Sequence, residues 1–180
     1  MRHEFDFDVV NVIDLEATCW EDGASAGMQC EIIEVGIVEL DVTSGAIGRK
    51  TSMIVKPERS EVSKYCTSVT RITPAQAAAG IPIDIACLRL RKEFAGREKV
   101  WASWGDFDRA QMERQCNEYG VPYPLSRAHI NIVALANAKW RRRFDSIPDA
   151  LALIGEKFDG RLHSGADDAL NEAKVLRSLL

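Results

Sequence analysis

The chain has 180 residues, 46% of them hydrophobic and 28% charged, and a formal net charge of −4. That is enough apolar material for a real core and an ordinary balance for a soluble globular protein. The mild acidity excludes a global basic footprint, so any contact with nucleic acid has to be local or metal-mediated.

The first segment, MRHEFDFDVV, is charged and lacks the apolar centre of a signal peptide. No apolar stretch is long enough to span a bilayer, so no membrane partner is expected. Residues 8–13 (VVNVID) read as a strand, and 31–40 (EIIEVGIVEL) as a second, largely buried one. A turn at DVTSGAIG leads to a third strand near 50–55 (KTSMIV), which Pro57 closes off, so the three form an antiparallel meander.

Thr73-Pro74 marks a helix start for 73–79, and 83–95 has helical spacing. VWASW at 100–104 reads as a short buried strand. The amphipathic stretch 106–119 stops at Gly120. A further strand falls near 127–132, the stretch 134–147 reads as a linker, and two helices, 146–158 and 166–180, close the chain. The sum is one α/β domain over residues 1–180, with a mixed central sheet flanked by helices.

Five cysteines stand at 19, 30, 66, 87 and 116, an odd number with no C-x-x-C pair. The spacing argues against a disulfide framework and a structural zinc site, and for reduced thiols in a cytoplasmic protein.

Three acidic stretches stand out. Asp14 and Glu16 fall two apart at the end of the first apolar strand, on one face. They are either solvated where strand meets loop or a pair of hard oxygen ligands for a divalent cation. In WGDFDRA, Asp106 suits the cap of the following helix and Asp108 its first turn, where the helix dipole favours an acid. Near the end, HSGADD places His163 in a polar loop and Asp167 and Asp168 at a helix start. These too have an ordinary structural explanation unless they share a pocket with the other acids.

Taken in order, a strand-borne D-x-E, an aromatic-Asp after a middle strand and a C-terminal H-x-x-x-x-D resemble the DEDDh 3′→5′ exonucleases of the RNase H-like superfamily. The longer stretches DLEATCW, YCTSVTRIT and GRLHSGADDALN look like the histone-mRNA and RNA-interference-type exoribonuclease branch, and the likeness runs from about residue 8 to 180. The resemblance implies an RNase H-like exonuclease fold. It also implies that Asp14, Glu16, Asp108 and Asp168 hold two divalent cations, Mg²⁺ or Mn²⁺, with His163 as general base. The five-residue step from His163 selects Asp168 over Asp167, and the aromatic-Asp match selects Asp108 over Asp106. Ala17 and Thr18 would approach the terminal nucleotide through backbone groups, and Tyr65 and Phe107 would line its base.

The implied chemistry is in-line attack by water on the last phosphodiester, between cations about 3.5–4 Å apart, releasing nucleoside 5′-monophosphates. Asp14 would bridge the ions, Glu16 and Asp168 would complete one site, and Asp108 would support the other. Imidazole suits the role of base because its ordinary pKa, about 6.5, leaves it mostly neutral at pH 7. Expected partners are 3′ ends of single-stranded RNA or DNA, with the protein acting as a monomer or homodimer. KWRRR at 139–143 is the one local basic cluster, either a guide for the strand's backbone or a solvated segment. Two other readings stay in view: a non-catalytic nucleic-acid-binding scaffold on the same fold, and a metal-dependent phosphatase for small nucleotides.

Overall fold

The computed structural model describes residues 6–23 and 28–180; the charged start at 1–5 lies outside them. Strands β1 (Asp6–Ala17), β2 (Ile32–Asp41) and β3 (Ile47–Ile54) pair antiparallel in the expected meander. β4 (Lys99–Ser103) joins β1 in parallel and β5 (His129–Asn131) joins β4 the same way, giving the order β3-β2-β1-β4-β5. Seven helices complete the described residues: α1 (Lys64–Thr70), α2 (Pro74–Ala78), α3 (Ile83–Glu93), α4 (Phe107–Tyr119), α5 (Ile132–Trp140), α6 (Ile147–Leu153) and α7 (Gly165–Leu179).

The near-continuous apolar run of β2 fits its central place, since both of its faces are covered. One core layer joins Val10, Val12, Val38 and Leu40 to α5, α6 and α7 through Ile132, Leu151 and Leu176. The other joins Ile13, Leu15, Val35 and Ile37 to α3 and α4 through Leu90 and Met112.

β1 runs past Ile13 as far as Ala17, so Asp14 and Glu16 are paired strand residues, opposite Gly36 and Glu34, and not a solvated strand end. Alternation places them on the face that Val10 and Val12 present to α7. Helix α7 reaches that face because two glycines let the backbones meet. A Cβ on Gly36 would run into the Gly165 carbonyl, and one on Gly165 would stand 3.0 Å from the Gly36 nitrogen and 3.1 Å from the Asp14 carbonyl. β1 and β4 are parallel, so their carboxyl ends share one edge, where α4 starts directly after β4.

The 134–147 linker is corrected. Residues 132–140 form α5, whose N-cap Asn131 accepts a hydrogen bond from the Ala134 N–H at 2.9 Å. Lys139 then donates to the Ser178 and Leu179 carbonyls at 3.2 and 2.7 Å, which fastens α5 to the end of α7. α1 is a further helix within the YCTSVTRIT stretch. Its N-cap, Ser63, accepts from the Cys66 N–H at 2.9 Å and donates to the Cys19 carbonyl at 2.7 Å. α2 carries a complete capping box between Thr73 and Gln76. The helix expected over 146–158 ends at Leu153.

Candidate active site

Three stretches far apart in sequence meet at the carboxyl ends of β1 and β4. Asp14, Glu16 and Asp168 each offer a carboxylate oxygen, and these oxygens all lie within 4.8 Å of one another. Asp108, 5% exposed in the first turn of α4, reaches the same edge, where its Oδ1 accepts the Leu15 N–H at 2.9 Å. Asp168 is held by the Ser164 N–H at 3.0 Å. His163 stands on the loop before α7, exposed, with φ of 58° in the left-handed region that disfavours side chains. Asp14, Glu16, Asp168 and His163 line one cleft of about 520 Å³, whose other walls include Trp104, Phe107, Pro148 and Leu162.

The electrostatics of this cluster are unfavourable as it stands. Burial, then the charges of Asp108, Glu16 and Asp168, push the Asp14 carboxyl well above the usual range. Burial and the Asp168 charge push Glu16 up to about 8. Asp108 and Asp168 are each raised to about 6 by burial, against the pull of the N–H groups that hold them. Among the described residues no ion pair involves any of the four. Hard carboxylate oxygens that converge without an ion-paired cationic side chain fit a divalent cation of the Mg²⁺, Mn²⁺ or Ca²⁺ type. Asp167 is spent elsewhere, on an ion pair with Lys50 and on the Arg161 N–H at 2.9 Å. That leaves Asp168 for the cleft.

Phe107 lines the cleft and is 57% exposed. The other nucleotide-contact candidates are held by the fold or stand apart from the cleft walls. Tyr65 is exposed on α1 and does not line the cleft. Thr18 is fully buried, its N–H on the Glu31 carbonyl at 2.8 Å and its Oγ1 accepting the Glu31 N–H at 2.9 Å, so its backbone N–H is not free for a nucleotide. The Ala17 carbonyl accepts from the Cys66 thiol at 3.6 Å. Asp106 occupies the N-cap position of α4 without capping it; its carboxylate takes Arg109 and Asn131, each at 3.0 Å.

Several residues of the basic cluster have partners within the chain. Arg142 forks onto Asp149, Arg143 pairs with Asp145, and Trp140 packs edge-on against Phe144 with ring centroids 5.4 Å apart. All five cysteines are free thiols.

Four residues of this region were not singled out from the sequence. Trp104 and Pro148 become cleft walls only through the fold. Glu34 is 4% exposed beneath the acids, accepting the Gly165 N–H at 3.1 Å and the Ser52 hydroxyl at 2.6 Å. Glu172, fully buried on α7, falls four residues after Asp168 and so on the same helix face. That spacing was available as a signal.

Comparison with known proteins identifies the class. Residues 11–176 match the Exonuclease (RNase_T) family, and the chain belongs to it. It is 30% identical to human ERI1 exoribonuclease 2 over 191 residues, covering 93% of this chain but 28% of that protein. Against the Drosophila melanogaster 3′-5′ exonuclease Snipper the identity is 28%, covering 92% of this chain and 66% of that one. The chain thus spans less than a third of the human relative's length. Among solved structures, the nuclease domain of 3′hExo, a DEDDh family member bound to rAMP, aligns with a TM-score of 0.83 at 26% identity, over 96% of this chain and 91% of that domain. The mixed sheet with its flanking helices is therefore the RNase H-like exonuclease fold.

Proposed function

We propose that this chain is a divalent-cation-dependent 3′→5′ exonuclease that shortens single-stranded RNA or DNA from the 3′ end, releasing nucleoside 5′-monophosphates. The observation that carries the reading is the convergence of Asp14, Glu16 and Asp168 within 4.8 Å, in an open cleft shared with His163. RNA is favoured as the substrate, because the relatives of similar sequence include proteins named exoribonucleases.

Asp14, Glu16 and Asp168 would hold the cations, Mg²⁺ or Mn²⁺, with Asp108 in support. When bound, such ions supply Lewis-acid charge at the scissile phosphate and activate water. The chain's own residues do the rest. His163 lines the same cleft as the acids and would take the proton of the attacking water. Phe107 offers an exposed ring on which a terminal base can stack without regard to sequence. Glu34 and the two glycines fix α7 against β2, which keeps Asp168 opposite Asp14.

We read residues 1–180 as one exonuclease domain, on the ground that the family match runs almost throughout. The free thiols suit a reducing compartment, and we place the protein in the cytoplasm on that basis. No helix among the described residues is long and apolar enough to cross a membrane.

The test is an oligonucleotide labelled at its 5′ end and incubated with Mg²⁺ or Mn²⁺. A ladder of 3′-shortened products that disappears with EDTA supports the proposal. Retarded but intact oligonucleotide, bound equally well without metal, supports a scaffold instead. Turnover of mononucleotides alone supports a phosphatase.

A further inference from the structure

One acid beside the cluster lies outside the four-acid set. Glu172 is 0% exposed, and neither Oε1 nor Oε2 makes a hydrogen bond of normal geometry among the described residues. The side chain it faces is Asp14. Its neighbours are treated differently. Asp108 has the Leu15 N–H, Asp168 the Ser164 N–H, and Glu34 both the Gly165 N–H and the Ser52 hydroxyl. Asp14, at the centre, has no backbone donor of that kind among the described hydrogen bonds. What stands against it is Glu172.

Burying a carboxyl against another carboxyl, with no backbone or cationic donor, costs stability, and an apolar side chain of the same volume would fill the space at no such cost. The position four residues after Asp168 puts both acids on the α7 face that meets β1. A group that weakens the fold where it stands, and that touches the central acid, has its use in that acid's placement. Ligating carboxylates depend on outer partners for their orientation, and losing such a partner characteristically weakens metal binding.

We propose that Glu172 is a positioning residue for the metal site: its head group backs Asp14 and fixes the orientation in which Asp14, Glu16 and Asp168 capture a divalent cation. The inference rests on the metal-dependent reading above and adds a fifth acid to it.

Calorimetric titration with Mn²⁺, paired with thermal melting in EDTA, tests it on wild type, Glu172→Gln and Glu172→Met. The Met variant keeps length and bulk but removes the polar head. It should bind Mn²⁺ about 10- to 100-fold more weakly while melting in EDTA no lower than wild type. The Gln variant keeps a polar head beside Asp14 and should bind Mn²⁺ about as wild type does. Unchanged affinity in the Met variant, equal losses in Met and Gln, or a Met variant melting far below wild type in EDTA would each overturn the proposal. If wild type itself takes up no Mn²⁺, the metal-dependent reading falls as well, which separates the two failures.

Discussion

Stripped of divalent cations, the protein should lose stability as the pH rises from about 5 to about 9, and adding Mg²⁺ or Mn²⁺ should restore it. Glu16 shows why. Burial and the Asp168 charge lift its carboxyl from an ordinary 4.5 to about 8, so the folded chain holds that proton more tightly than the unfolded chain does. A group of this kind favours folding fully below about pH 4.5, and the advantage drains away until about pH 8. At about 1.36 kcal/mol for each tenfold change, the whole effect of Glu16 is at most about 5 kcal/mol. That is a large part of a typical domain's stability and corresponds to a fall of roughly 10–20 °C in Tm for a chain of this size. Asp108 and Asp168, each raised to about 6, add to it at the lower end of the range. Calorimetric melts of metal-free protein across that pH range, repeated with Mg²⁺, measure the slope directly. A metal-free Tm that is flat or rises with pH would refute the idea that these carboxyls repel one another in the fold.

Other outcomes follow from individual residues. His163→Ala should slow hydrolysis by about 10²- to 10⁴-fold, as loss of a general base does, without moving the Tm, because the side chain is exposed; single-turnover kinetics with a melting curve checks both. Gly36→Ala should prevent α7 from seating on β2, costing more than the roughly 1–3 kcal/mol of ordinary overpacking because the clash is with backbone; chemical denaturation reads the loss. Phe107→Ala should leave stability unchanged and weaken binding of a single-stranded oligonucleotide by about 1–3 kcal/mol, the worth of one stacked base, measured by fluorescence anisotropy in Ca²⁺.

The acids were legible because their setting was wrong for ordinary surface residues: Asp14 and Glu16 continue an apolar strand, and their two-residue spacing fixed a common face. The end of that strand was not legible for the same reason, since charges at 14 and 16 read as the start of a loop. Only a site that benefits from buried carboxyls reverses the rule. The isolated glycine in EIIEVGIVEL passed unread: a glycine inside a strand can mark close backbone approach, but nothing local says that Gly165 is what approaches. The start of helix α5 was hidden because β-branched Ile130 and Ile132 extend the strand pattern to 132, whereas the Asn131 cap already turns the chain into the helix. Asp106 looked the better cap and proved to be an ion-pair partner, because Asn131 and Arg109 compete for its oxygens. Thr18 and Tyr65 came from resemblance alone; the first is bonded to Glu31, and the second is exposed on α1 and is not among the residues that line the cleft.

The central claim is that Asp14, Glu16 and Asp168 form one cation site beside His163. Crystals soaked with Mn²⁺ and a nucleoside 5′-monophosphate test it most directly, through the anomalous signal of manganese. A peak should lie within ligand distance of all three carboxylates, with the phosphate of the nucleotide against it in the cleft that His163 also lines. Manganese bound elsewhere, or none at Asp14 while the nucleotide occupies the cleft, would contradict it.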